Sequence, residues 1–389
     1  MSAENRLNIM VSAGEASGDS HAAHALQALA DTGIPITSFG MGAGALQASG
    51  TELIVDCRDL AVIGIVDVLL NYHKFLKRLK HLRQHLVKRK PDLLLLVDYP
   101  DFNLKLAETA KSLGIPVLFY VSPQVWAWRA GRVPRIGSLV SHMAVLFPFE
   151  VDIYQKANIP VTYVGNPVVH DAVSHYTRDE ACLHFGLDKQ RKVIALLPGS
   201  RKSEIQRHLP RMLNTIKLVE DKLPGVQFLL PVAPTLELDD IRQLLGNDVP
   251  ASLQISEKDS RDAMRAADLA FAASGTATLE TALIGTPMIV IYVVNAINYA
   301  IMKRLIRIPD ISLVNIVARK RIVPEYLQHE AVPSDMAEDL LSLLQDNNRR
   351  LEMIANLASV KDKMGDGGAS GRVASLILQL TGSESDANA

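Results

Sequence analysis

Cysteine is scarce in this 389-residue chain: Cys57 and Cys182 are the only two, with no CxxC spacing. That excludes a disulfide framework and a thiolate zinc site, and it makes a reducing cytoplasm the expected compartment. Charge of one sign is also lacking. The formal net charge is −1, which excludes the uniformly basic surface of a nucleic-acid binder. Long hydrophobic runs are missing too. The longest mostly apolar stretch, residues 281–294, is broken by Gly285, Thr286 and Pro287 and falls short of a spanning helix. The first apolar run, preceded by Glu4 and Arg6, is too short for a signal-peptide core. There is no repeat, no low-complexity tract and no Asp-X-Asp triplet, the usual handle for a metal-bound sugar nucleotide. Mean hydropathy is nonetheless +0.12, which leaves room for an apolar surface that is in use.

What is present is a doubled opening. Leu7-Asn8-Ile9-Met10-Val11 runs into Gly14-Glu15-Ala16-Ser17-Gly18-Asp19, and Val193-Ile194-Ala195-Leu196-Leu197 runs into Pro198-Gly199-Ser200-Arg201. A buried strand, a small-residue turn and a helix N-terminus begin a βαβ unit, and such helix ends hold anions. Two of them half a chain apart predict an α/β protein of two Rossmann-like domains facing across a cleft. Strands are expected at 7–12, 36–39, 93–97, 117–121, 143–147 and 161–164, then at 193–197, 227–231, 253–255, 269–273 and 288–293, with helices between. The expected domains are 1–172 and 173–365, with a polar linker near 170–191. Residues 366–389 add a helix and a frayed tail, the helix carrying an apolar face at Val373, Ile377 and Leu380.

Three segments read as chemistry. Ser274-Gly275-Thr276-Ala277-Thr278-Leu279-Glu280 follows a strand, and its small residues let a diphosphate approach a helix start, with Glu280 one turn in to accept ribose hydroxyls. An ordinary Ser-Gly-Thr N-cap is the alternative. Arg201, after Ser200, stands where a guanidinium can clamp phosphate oxygens. Asp98 ends the buried run Leu93-Leu94-Leu95-Leu96-Val97, which puts a carboxylate at the carboxyl edge of a parallel sheet, where such sheets keep their ligands. The structural alternative makes Asp98 a loop-ordering acceptor and Asp101 the N-cap of the next helix.

Between Tyr72 and Lys90 the chain has eight Lys and Arg residues and no acid, opposite an apolar stripe of Tyr72, Phe75, Leu76, Leu79, Leu82 and Leu86. Packing on a core is the common fate of such a helix; an anionic, acylated surface is the other reading. Trp126 and Trp128 share one loop, which fits either a ligand wall or core filling. Residues 40–45 match a dinucleotide fingerprint after the wrong strand, so NAD is not expected. The pairs His21/His24 and His81/His85 have no third ligand nearby and read as exposed helical histidines.

The ordered set of Gly14 to Asp19, Asp98-Tyr99-Pro100-Asp101-Phe102-Asn103, Ser122-Pro123-Gln124-Val125-Trp126-Ala127-Trp128, Val164-Gly165-Asn166-Pro167, Leu197 to Arg201 and Ser274 to Glu280 resembles the lipid-A-disaccharide synthase family. Leu313-Val314-Asn315-Ile316 and Val323-Pro324-Glu325 fit as well, with Val314 standing where the family commonly has proline. The resemblance implies a GT-B glycosyltransferase of lipid A biosynthesis. It would join UDP-2,3-diacylglucosamine to 2,3-diacylglucosamine 1-phosphate by a β-1,6 bond, releasing UDP, on the cytoplasmic face of the inner membrane of Gram-negative bacteria. The first domain would then take the acceptor and the membrane, the second the UDP-sugar, and the C-terminal helix would cross back to the first.

Inversion needs a general base, assigned to Asp98. UDP is assigned to Ser200, Arg201, Ser274, Gly275, Thr276 and Glu280, and substrate contact to Glu15, Ser17, Asp19, Asn315 and Trp126. Acyl chains and membrane are assigned to Val66, Leu69, Phe75 and Leu76. Neither metal nor cofactor is implied, and a homodimer is compatible. Two rivals stay open: a UDP-sugar 2-epimerase of the same architecture, which needs no acyl surface, and a non-catalytic nucleotide-sugar or membrane-docking module.

Overall fold

Strands and helices alternate through most of the described residues up to the strand Glu325–Leu327, three α-helices close the chain after it, and the computed structural model sorts them into two units, Met1–Pro167 with Gly367–Ala389, and Val168–Asp366. Described are residues 6–60, 65–127, 130–246, 249–305 and 309–383; side chains 59–60, 65–72, 130, 297–298, 301–302 and 305 lie outside the description.

Unit 1 holds β1 (Leu7–Ala13), β2 (Ile36–Gly42), β3 (Glu52–Asp56), β4 (Leu93–Val97), β5 (Val117–Tyr120), β6 (His142–Val145) and β7 (Val161–Tyr163). They form one parallel sheet in the order β3-β2-β1-β4-β5-β6-β7. The continuous apolar run of β4 follows from burial on both faces: Leu93, Leu95 and Val97 join one core and Leu94 and Leu96 the other. The first core is closed by the helices Ala16–Ala30 and Ala369–Thr381, the latter burying Val373 and Ile377 completely. The second takes Leu79, Leu82 and Leu86 from the helix Ile65–Arg89.

Unit 2 repeats the plan with β8 (Val193–Leu197), β9 (Gln227–Pro231), β10 (Leu253–Ser256), β11 (Leu269–Ala273), β12 (Met288–Tyr292) and β13 (Glu325–Leu327), parallel throughout in the order β10-β9-β8-β11-β12-β13. The segment expected as a polar linker is folded instead. Thr177 caps the helix Arg178–Phe185 through a capping box with Glu180, and Ala181, Cys182 and Phe185 are core residues of unit 2.

In each sheet the order reverses between two neighbouring strands, β1 and β4 in unit 1 and β8 and β11 in unit 2. Ala13 pairs with Val97, and Leu197 with Ala272. The turns that follow these residues therefore emerge side by side at the switch point, where open α/β sheets bind ligands.

Candidate active site

At the unit 1 switch point the chain leaves β4 through two consecutive left-handed residues, Asp98 with φ 48° and Tyr99 with φ 47°. L-residues pay steric strain there, so something must hold the turn. Asn103, fully buried, does so: its Nδ2 donates to the carbonyls of Asp98 at 2.6 Å, Val97 at 3.2 Å and Ser12 at 3.2 Å. Its Oδ1 accepts from the Ser12 hydroxyl at 2.7 Å. One amide thus ties the ends of β1 and β4 together. Tyr99 lays its ring over Gly14, where a Cβ would stand 2.3 Å from the ring. Pro100 then begins the helix Pro100–Ser112, so Asp101 falls inside the first turn rather than at the N-cap, and Arg132 pairs with it at 2.6 Å.

The Asp98 carboxyl is half-buried. Desolvation first, and repulsion from Glu15 second, push its pKa from 3.8 up to about 6. Glu15 and Ser17 are exposed at the start of the helix Ala16–Ala30, which no side chain caps. Asp19, expected at substrate, is engaged by neighbouring backbone amides. It is buried, and its oxygens accept the amides of Ala43 at 2.6 Å, Ala45 at 2.8 Å and Leu46 at 3.3 Å. Those donors lie in and just past the segment that mimics a dinucleotide fingerprint, so Asp19 orders that turn from within.

Trp126 is half-buried and meets Phe149 edge-on, ring centroids 5.4 Å apart. Its loop is latched by Ser122, whose hydroxyl lies 2.7 Å from that of Tyr154, while Glu150, on the same helix as Tyr154, accepts the Phe147 amide at 3.0 Å. Burial drives the Glu150 carboxyl up to about 7. Trp128 lies outside the described residues.

The basic helix divides its labour. Leu79, Leu82 and Leu86 are core, and Phe75 packs edge-on against Phe102 at 5.0 Å with the Lys105 ammonium over its ring. Phe75 is therefore largely committed to the fold rather than free for acyl chains. Leu76 is 44% exposed, between exposed Lys74, Lys77 and Lys80. The side chains of Val66 and Leu69 lie outside the described residues. At the far end Arg89 makes a bidentate pair with Glu52 at 2.6 and 2.7 Å.

At the unit 2 switch point the helix Thr276–Ile284 starts from Gly275 with no side-chain cap. Ser274 does not cap it, because its hydroxyl donates to the Ile311 carbonyl at 2.8 Å. Gly275 and Thr276 are exposed, which leaves the positive end of the helix open to an anion. Glu280 is half-buried, its carboxyl raised by burial and opposed by Arg261 at 3.4 Å. Ser200 is exposed, and Arg201 is 77% exposed while touching Glu204 at 2.8 Å. That pair costs little to break at the surface, so the guanidinium is available. Glu204, which sequence reasoning missed, also accepts the Ser200 amide at 3.2 Å and sets the turn.

Asn315, expected at substrate, is fully buried. Its Oδ1 accepts the amides of Ile322 at 2.8 Å and Val323 at 3.0 Å, and its Nδ2 donates to the Val323 carbonyl at 3.0 Å and to Glu325 at 2.6 Å. Glu325 in turn accepts the Ile311 and Ser312 amides at 2.8 and 3.0 Å. Asn315 and Glu325 thus brace the strand of chain that receives the Ser274 hydroxyl, behind the open helix end. Among the described residues no cluster of His, Cys, Asp and Glu could hold a metal ion, and no helix is long and apolar enough to cross a membrane.

The family model described as lipid-A-disaccharide synthetase matches residues 9–370. A lipid-A-disaccharide synthase from Geobacter sulfurreducens is 43% identical over 378 residues, 97% of this chain and 98% of that one. Among solved structures, UDP-GlcNAc 2-epimerase from Neisseria meningitidis bound to UDP-GlcNAc gives a TM-score of 0.61 at 14% identity, covering 96% of this chain and 99% of that one. Acinetobacter baumannii MurG gives 0.58 at 16%, with the same coverage. These two share the GT-B architecture, at identities that speak to the fold alone. With the sequence match running through both switch points, the chain belongs to the lipid-A-disaccharide synthase family.

Proposed function

We propose that this chain is a lipid-A-disaccharide synthase, an inverting glycosyltransferase that condenses UDP-2,3-diacylglucosamine with 2,3-diacylglucosamine 1-phosphate to give the β-1,6-linked disaccharide 1-phosphate and UDP. Family membership across nearly the full chain carries this reading. It also favours the synthase over the epimerase, whose likeness is one of fold.

In this reading Asp98 is the general base. It takes the proton of the acceptor 6-hydroxyl as that oxygen bonds to the anomeric carbon of the donor, and the bond from that carbon to the diphosphate oxygen breaks with its electron pair leaving on UDP. A carboxyl standing at about 6 is ionised at neutral pH and is a stronger proton acceptor than an ordinary aspartate. The charge of the departing UDP falls to Arg201, Ser200 and the open helix end at Ser274, Gly275 and Thr276, and Glu280 takes the ribose. Glu15, Ser17 and Trp126 contact the sugar substrates. Leu76 and the surrounding lysines meet acyl chains and anionic headgroups, which makes the protein peripheral on the cytoplasmic face of the inner membrane.

The test is to incubate the protein with both acylated sugars and follow UDP and disaccharide. Joint appearance of the two supports the proposal. Epimerisation of UDP-GlcNAc without disaccharide, or UDP binding without turnover, replaces it with one of the rival readings.

A further inference from the structure

His208 sits on the helix Lys202–Lys222, is 1% exposed, and has both ring nitrogens engaged. Nδ1 lies 2.8 Å from the Pro198 carbonyl, and Nε2 accepts the Val293 amide at 3.0 Å. A backbone amide can only donate, so this network assigns the proton to Nδ1 and makes the ring neutral. Pro198 follows β8 and Val293 follows β12, and β11 lies between those strands. The imidazole therefore spans the end of β11, whose next residue is Ser274. One buried side chain thus couples the end of β8, from which Ser200 and Arg201 emerge, to the end of β12, where the Ile291 carbonyl accepts the Ser274 amide at 2.9 Å and so anchors the 274–276 turn.

We infer that His208 is a positioning residue for the diphosphate cradle, holding its two turns at the separation the ligand needs without touching the ligand itself. The inference rests on the cradle reading above. It has a further consequence. Protonation of Nε2 would set two donors against each other and break the bond to Val293. The groups facing the ring are Glu204 and Arg211 from its own helix and Tyr292 of β12, centroids 6.3 Å apart. Burial is the largest influence and keeps the ring neutral, Arg211 adding to it and Glu204 opposing. UDP affinity should thus hold at neutral pH and fall on acidification.

The experiment measures UDP affinity by calorimetry and the KM of each substrate for wild type, H208F, H208Q and R201A, with thermal midpoints. H208F leaves the Pro198 carbonyl and Val293 amide unpaired, and the expected loss of UDP affinity is about tenfold or more, with donor KM rising in parallel and acceptor KM unchanged. A folded H208F that binds UDP within about twofold of wild type overturns the inference, as does an equal effect on both KM values. If H208F does not fold, H208Q decides. Glutamine keeps one donor and one acceptor but does not titrate, so on acidification wild type should lose UDP affinity beyond the loss that protonation of the UDP phosphate, at about pH 6, imposes on both proteins; parallel curves overturn the inference. R201A separates the premises. Unchanged UDP binding in R201A removes the cradle reading itself, whereas loss there with none in H208F removes only the role of His208.

Discussion

Replacing Asp98 by asparagine should make the protein more stable and far less active. The folded carboxyl stands at about 6 and the ordinary value is 3.8. The native state therefore binds more protons than the unfolded chain between those two values, and stability falls as pH rises through that window. Above it the cost is constant, at most roughly 3 kcal/mol. Asparagine carries no charge to desolvate and is the same size, so D98N should recover part of this at pH 7 and raise the thermal midpoint. Turnover should fall ~10²-fold or more for want of a proton acceptor. The companion variant is E15Q, which removes the lesser of the two causes and leaves burial in place. Its kcat/KM profile should keep an acid limb, displaced to lower pH by less than about one unit. The assay is UDP release at saturating acceptor from about pH 5 to 8, beside scanning calorimetry of each variant. A D98N enzyme with near-normal turnover and a native midpoint would remove Asp98 as the base. An E15Q limb fixed at the wild-type pH would refute the repulsion argument.

Four further outcomes follow from particular contacts. R201A should raise donor KM about tenfold, the worth of a charge-assisted bond to phosphate, with an unchanged thermal midpoint because the Arg201 side chain is itself exposed and its pair with Glu204 is weak; a matching fall in midpoint would show a structural role instead. G14A places a methyl 2.3 Å from the Tyr99 ring beside Asp98, so kcat should drop with about 1–3 kcal/mol of stability, and a variant with wild-type kcat would mean that the turn tolerates displacement. N315A leaves Glu325 and two amides short of partners and should cost about 2–4 kcal/mol in denaturant titration, while acceptor KM stays constant; a change in acceptor KM alone would return Asn315 to direct substrate contact. L76E should weaken binding to anionic vesicles yet leave turnover of detergent-dispersed substrate intact, and equal binding would take Leu76 out of the membrane surface.

The strands buried on both faces were legible because their apolar runs are unbroken: β4, β8, β9 and β11 match expectation to the residue. The edge strands β3 and β13 were not foreseen. β3 offers only the three apolar residues Leu53, Ile54 and Val55 between two acids, and β13 is three residues long, so the run in each falls short of the roughly four to eight residues that read as a strand. Site residues divide on the same principle. Asp98 and the 274–276 turn announce themselves by standing directly after buried strands. Asn103, His208, Glu204 and Glu325 do not, because their roles depend on backbone groups brought near by the fold. Asp19 and Asn315 sit in recognisable motifs, and composition alone does not reveal whether a polar side chain faces ligand or neighbouring amides. In this structure both are buried and bonded to neighbouring amides.

The last helix of the chain closes the first unit's core, with Arg372 Nε donating to the Val164 carbonyl at 2.7 Å and a guanidinium nitrogen 2.6 Å from where a Gly165 Cβ would stand. The order of synthesis then runs against the order of completion. Some two hundred residues separate Val164 from Ile377, roughly 10–40 s of translation. Throughout that interval the nascent sheet presents Leu118, Tyr120 and Ala144 without the cover that Val373 and Ile377 later provide. The ribosome thus releases unit 1 unfinished and finishes it last, and a stop codon a few turns early harms the part of the protein that was made first.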